Sequence, residues 1–94
     1  MVAFNEQGRF YVGEENNKLA EIDFTRPAGK DYYVILHTGV RKELSGQGVA
    51  QQLVDKVVDK ARHDGLKIVP VCPYAKKRFM ENEQYADVWY KKSY

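Results

Sequence analysis

Ninety-four residues give material for one domain, with a core too small to enclose a deep, lidded cavity. Hydrophobic residues make up 44% and charged residues 30%, and seven Tyr, four Phe and one Trp are spread along the chain, a composition that excludes intrinsic disorder. A net charge of +2, with lysines and arginines mixed among acids, lacks the concentrated basic face of a nucleic-acid-binding domain.

The single cysteine, Cys72, excludes an internal disulfide and a four-cysteine zinc site, so no metal is expected and a reducing cytoplasm is the natural setting. Met1-Val2-Ala3-Phe4-Asn5-Glu6 has neither the basic start nor the apolar run of a signal peptide, and no stretch has the length of a membrane span, so no membrane association is expected.

In chain order, a short strand at Val2 to Phe4 precedes the turn-like Asn5-Glu6-Gln7-Gly8, and Arg9 to Gly13 has the aromatic and β-branched content of a second strand. Glu14 to Asn17 reads as a polar turn, after which Leu19 to Phe24 alternates apolar with polar residues in its second half and completes a hairpin. Arg26 to Lys30 is the next turn. Tyr32 to Thr38 is the most continuous apolar run, which predicts a central strand buried on both faces.

Beyond it, Val49, Ala50, Leu53, Val54, Val57, Val58 and Ala61 recur on one helical face, opposite Gln51, Gln52, Asp55, Lys56, Asp59, Lys60 and Arg62, with Gly65 as the stop. Lys67 to Cys72 is a short strand, and strand, helix, strand at this spacing predicts a parallel pair with a right-handed crossover. Pro70 belongs on an edge strand or where two strands part. Pro73 places Cys72 at or beside the N-cap of a second helix, Pro73 to Glu81, with Ala75 and Phe79 on its apolar face. Asn82 to Tyr94 predicts an irregular or short helical tail.

The organising stretch is Val40 to Ala50, where a strand runs into Glu43-Leu44-Ser45-Gly46-Gln47-Gly48 and a helix runs out at Val49-Ala50. Two glycines allow a tight bend that exposes consecutive N–H groups, and the positive end of the helix dipole points at the same place, the outline of a phosphate site. A plain strand-to-helix bend reads the residues equally well. The segment is neither a Walker loop, which needs Gly-Lys-Ser/Thr, nor the dinucleotide fingerprint, which needs a third glycine where Gln51 stands.

This segment resembles the pyrophosphate loop of the GNAT superfamily of acetyl-CoA-dependent N-acetyltransferases, Gln/Arg-x-x-Gly-x-Gly/Ala between a central strand and a long helix. The chain is similar to that superfamily's short single-domain branch, in which Glu-Leu-x-Gly-x-Gly-(Ile/Val)-Ala is followed by Cys-Pro-Tyr after the next strand, here Cys72-Pro73-Tyr74. The resemblance spans the chain in element order and rests on these two segments. It implies an α+β fold of three or four antiparallel strands, a helix, a splayed parallel strand and a second helix, over residues 1–94.

The resemblance further implies acetyl-CoA as co-substrate and an amine as acceptor. The amides of Leu44, Ser45, Gly46, Gln47, Gly48, Val49 and Ala50 would hold the pyrophosphate, and Val40 would pair with the pantetheine arm. Glu43 departs from the superfamily's Gln/Arg, so its backbone rather than its carboxylate is expected to serve. Lys76 and Lys77, with Arg78, could reach the adenosine phosphates, or form a solvated face. Where many members carry Asn-x-x-Ala-x-x-x-Tyr, this chain has Cys72, Ala75 and Phe79, so the usual tyrosine proton donor is missing.

Two routes follow. An amine attacks the thioester directly, with Cys72 or Tyr74 protonating the CoA sulfur, or Cys72 itself takes the acetyl group and passes it on. His37, near the strand end, is a candidate general base, though with no visible carboxylate to orient it a packed strand histidine is the simpler reading; Glu21 and Asp23 are candidate bases or ordinary charges on a solvated strand. His63 fits a helix C-terminus and the aromatics fit the core. The superfamily's extra acceptor-shaping helices and strands have no room here, so an open acceptor side suited to a protein lysine is expected. The rival readings are a non-catalytic CoA-binding module and an interaction domain that keeps only the fold.

Overall fold

The computed structural model describes residues 2–5, 9–14, 17–44 and 46–90, with the side chains of 2–5 left aside. The expected turns over 6–8 and 15–16, Ser45 and the last four residues of the tail lie outside the described residues.

Five strands form one sheet in the order β1-β2-β3-β4-β5: β1 Val2–Asn5, β2 Arg9–Glu14, β3 Asn17–Thr25, β4 Tyr32–Val40 and β5 Lys67–Pro70. The first four are antiparallel, and β5 runs parallel to β4 after the crossover through helix α1, Val49–Asp64. Helix α2, Pro73–Glu81, follows β5, and short 3-10 turns occupy Lys42–Leu44 and Glu83–Tyr85. Among the described residues no helix is long and apolar enough to cross a membrane.

Side-chain alternation gives the sheet two unlike faces. One buries Ala20, Ile22 and Phe24 of β3 with Tyr33 and Ile35 of β4, and Phe10 stacks on Phe24, which meets Tyr33 edge-on. Leu53, Val54, Val57, Val58 and Ala61 of α1 and Ala75 and Phe79 of α2 close the same cluster. Each of the larger of these side chains contributes about 1.5–3 kcal/mol by leaving water. The expectation that β4 is buried on both faces is corrected: it is internal to the sheet, yet Leu36 and His37 are exposed and only the helix-facing side is dry. Along its apolar run Tyr32 packs on Tyr90 of the tail, Val34 is half-buried, and Leu36 is the extra residue of a bulge.

That bulge shapes everything downstream. Asp23 stands opposite His37 and Phe24 opposite Ile35, so Leu36 is the extra residue that bends β4 away from its neighbour. Pairing of β4 with β5 ends at the same point, Ile35 against Pro70, and the amides of Val71 and Cys72 both donate to the Ile35 carbonyl, at 3.1 and 3.0 Å. Pro70, with no N–H, sits where the two strands separate.

On its far side β5 is covered by the tail, where Ile68 bridges to Trp89 and accepts from Tyr90 at 2.8 Å. Phe79 stacks on Tyr85 and meets Trp89 edge-on, so the aromatics of the tail and of α2 finish the core. A Gly65 C-cap, with the Leu66 amide reaching back to the Ala61 carbonyl at 2.8 Å, ends α1 as its sequence predicts.

Candidate active site

Gly46 and Gly48 take φ of 79° and 72°, the left-handed region that a side chain disfavours, and Gly48 is the N-cap of α1. No side chain caps this helix and no acid lies in its first turn, so its leading amides and dipole are directed outward. Gly46, Gly48, Val49, Ala50 and Gln51 line a cleft of about 300 Å³ together with Val40, Leu44 and Tyr74. Two segments that the sequence marks separately, the glycine turn and Cys72-Pro73-Tyr74, thus meet across one opening. Glu43 is exposed in the 3-10 turn, where its carbonyl accepts from Gln47 Nε2 at 3.3 Å.

The cleft leads into the gap between β4 and β5. The Arg41 amide donates to the Leu19 carbonyl of β3 at 2.8 Å, so by strand alternation the backbone groups of Val40 and Thr38 face the other way, into the gap. Cys72 lies at its inner end, 5% exposed, as the N-cap of α2 with Pro73 at N1. Its thiol donates to Thr38 Oγ1 at 3.5 Å. Burial pushes the Cys72 thiol up, but hydrogen bonding that its ionised form would receive from the Ala75 backbone, the Thr38 hydroxyl and the Tyr74 and Thr38 backbone outweighs this and holds the thiol below its ordinary value. Thr38 is a site residue that the sequence did not single out; two positions past the extra residue Leu36, it carries no pattern that marks it.

Tyr74 is 37% exposed and its phenol is pushed up, chiefly by burial against the opposing effect of Arg78. A raised phenol stays protonated near neutrality and is a weaker acid than an ordinary tyrosine, able to give its proton only to a strongly basic partner. Phe79, in the position where the superfamily keeps a tyrosine, is 2% exposed inside the aromatic cluster.

Lys76 and Lys77 are exposed on α2 and do not line the cleft, whereas Arg78 turns inward. There it hydrogen-bonds the Tyr85 side chain, which holds its guanidinium firmly charged, while the Tyr85 hydroxyl donates to the Asp55 carboxylate of α1. The basic run is therefore divided, two lysines to solvent and one arginine to the helix seam. His37 lies on the opposite, open face of the sheet, in a second cleft with Glu21. His63 is exposed in the last turn of α1.

Comparison with known proteins places this arrangement. A family model described as GCN5-related N-acetyl-transferase matches residues 9–88. The NMR solution structure of a GCN5-like protein from Staphylococcus aureus is 41% identical, with a TM-score of 0.79, over 96% of this chain and 87% of that one. The fold also recurs at 19% identity and a TM-score of 0.61 in an N-acetylglutamate synthase from Neisseria gonorrhoeae complexed with coenzyme A and N-acetyl-glutamate, over 78% of this chain and 18% of that one. A ribosomal-protein-alanine N-acetyltransferase from Brucella melitensis biovar Abortus 2308 shares it at 20% identity and a TM-score of 0.57, over 92% of this chain and 65% of that one. No curated protein matches the chain. With the family match spanning β2 to β5, the glycine turn and both helices, the chain belongs to the GCN5-related N-acetyltransferases.

Proposed function

We propose that the chain binds acetyl-CoA in the cleft beneath α1 and transfers the acetyl group to an amine by direct attack in a ternary complex. One observation carries the reading: an uncapped helix N-terminus behind a two-glycine turn opens onto the gap where β4 and β5 part. The pyrophosphate would rest on the amides from Gly46 to Ala50, which hold an anion without an ion pair and need no dehydrated cation when empty; the Leu44 amide, expected among them, is instead spent on the Arg41 carbonyl at 2.9 Å. The pantetheine arm would extend along Val40 and Thr38 as a strand substitute and carry the thioester to Cys72 and Tyr74. The residues present fit such a ligand, since the backbone groups facing the gap alternate donor and acceptor as a pantetheine amide requires.

Tyr74 is the proposed proton donor to the departing CoA sulfur, because it is protonated near neutrality and lines the cleft. The burial of Cys72 and the engagement of its thiol with Thr38 Oγ1 favour a role in ordering the gap over one as acyl carrier. Lys76 and Lys77 would meet the adenosine phosphates only as exposed charges, worth little at physiological salt.

Titration calorimetry with CoA, followed by assay of free CoA released from acetyl-CoA in the presence of primary amines, tests the proposal. Binding with amine-dependent release is expected; binding without release would leave a CoA-binding module, and no binding at millimolar CoA would overturn both. Peptide mass analysis after brief exposure to acetyl-CoA should find no adduct on Cys72, and an acetyl-Cys72 peptide that disappears on adding amine would establish the covalent route instead.

A further inference from the structure

We propose that the open face of the sheet, where the first half of β3 pairs with the end of β4, is the acceptor site, where Glu21 receives a primary ammonium group and His37 takes its proton; this rests on the acetyl-CoA reading above. The argument starts from register. Across the three strands Tyr11, Glu21 and Gly39 stand in one row, and Arg9, Asp23 and His37 in the next, all on the face away from the helices. In the second row Asp23 is already committed to an ion pair with Arg9.

His37 does not lie over Asp23, its direct partner. A Cβ placed on Gly39 would stand 3.0 Å from His37 Nε2, so the imidazole lies along the strand over the glycine, in the space a side chain at 39 would fill. That space is directly opposite Glu21, and same-face neighbours across an antiparallel pair have Cβ atoms only about 5 Å apart. The ring and the carboxylate are thereby brought to one spot, and both line a cleft of about 330 Å³ with Lys18, Gly39, Val40 and Arg41. This cleft shares Val40 with the glycine-turn cleft, so the two open on either side of the same strand end.

The charged surroundings restrict the acceptor. Tyr11 flanks Glu21 from β2 and carries Lys18 over its ring at 5.5 Å, and Arg41 stands at the other rim. Two rim cations disfavour a polyamine and suit an amine of single positive charge, best with an anionic group close by. Leu36 and Val71, 51% and 52% exposed where the strands separate, offer an apolar shelf for an aliphatic stem. A lysine-like side chain, with methylenes ending in one ammonium, fits both requirements.

In the reaction the ammonium sheds one proton to His37 Nε2, which being exposed passes it to solvent. The freed lone pair forms the N–C bond to the thioester carbonyl and the C–S bond breaks with its electrons on sulfur. Tyr74 gives that sulfur its proton and recovers one from the new amide nitrogen, so the products are an N-acetyl amine, CoA and one proton.

The test uses the full chain with acetyl-CoA and Nα-acetyl-lysine, with spermidine for comparison. Glu21→Gln should raise the KM for Nα-acetyl-lysine at least about tenfold, from the loss of a charge-assisted contact, and leave that for acetyl-CoA alone. His37→Gln should lower kcat about 100-fold or more and abolish the acid limb of the rate profile, as removal of a general base does. Gly39→Ala alters neither group yet displaces the ring, and should follow His37→Gln in direction while Glu21→Gln keeps its acid limb. Spermidine should be the poorer acceptor. Unchanged amine KM and an unchanged acid limb in all three variants, with CoA binding intact, would overturn the acceptor site; wild-type protein that binds no CoA would overturn the parent reading instead.

Discussion

The claim that the glycine turn holds the CoA pyrophosphate can be isolated by comparing two glycines that differ only in place. Gly48 at the N-cap of α1 and Gly29 in the turn before β4 have φ of 72° and 75°, and a Cβ on either would find nothing within 4 Å. Alanine at each therefore brings the same backbone penalty and no clash. Left-handed φ costs an L-residue roughly 1–2 kcal/mol, offset by roughly 0.4–1 kcal/mol because the unfolded chain also loses freedom. A net loss of about 1 kcal/mol lowers Tm by roughly 4–8 °C in a domain of this size.

The two variants should thus melt alike. They should not bind alike, because β4 spans nine residues and separates the two turns by about 26 Å. Gly29→Ala should leave the CoA dissociation constant unchanged. Gly48→Ala adds a methyl group to the cleft and reorients the amides that lead into the helix, and should weaken CoA at least tenfold, about 1.4 kcal/mol. Calorimetry and thermal melts on the two variants suffice. Equal CoA affinity in both, with the melting shift present in both, would refute the reasoning and reduce the turn to a bend.

Other consequences are simpler to state. Cys72→Ala should lose the Thr38 contact and cost about 1–2 kcal/mol of stability by denaturant titration, yet retain amine-dependent CoA release, since direct attack needs no thiol. Phe79→Ala should cost about 3–5 kcal/mol and bring the chain close to unfolding at room temperature, seen as loss of a cooperative urea transition, because its ring is buried against Tyr85 and Trp89.

Acid should destabilise the fold through two carboxylates. Asp64 is held below its ordinary value by the Tyr33 hydroxyl, with Lys60 adding, and Asp87 by the Arg62 guanidinium. A depressed folded value means that the unfolded chain takes up protons first as pH falls. Their stabilisation is complete above the ordinary carboxylate range near pH 4 and is lost below it. The Arg62–Asp87 pair is exposed and the Lys60–Asp64 pair partly so, and the loss is small and salt-sensitive. Urea midpoints from pH 6 to 3 should show it, and Tyr33→Phe combined with Asp87→Asn should flatten it.

Local chemistry wrote much of this protein into its sequence. The i, i+1, i+4, i+5 recurrence from Val49 to Ala61 could serve only as a helix face, and Gly65 could hardly be other than its stop. Gly46 and Gly48 marked a turn with left-handed backbone, and the Cys72-Pro73 step fixed the start of α2. Each is a nearest-neighbour property, so it survives without knowledge of the fold. Tertiary structure alone decided the register. Nothing in Tyr32 to Val40 reveals that Leu36 is an extra residue, because a bulge exists only relative to the strand beside it. The same slip put Thr38 beside Cys72, left one face of β4 wet, and laid His37 over Gly39 opposite Glu21. In the sequence Glu21 and His37 are sixteen residues apart and have no visible relation; pairing between β3 and β4 brings them together.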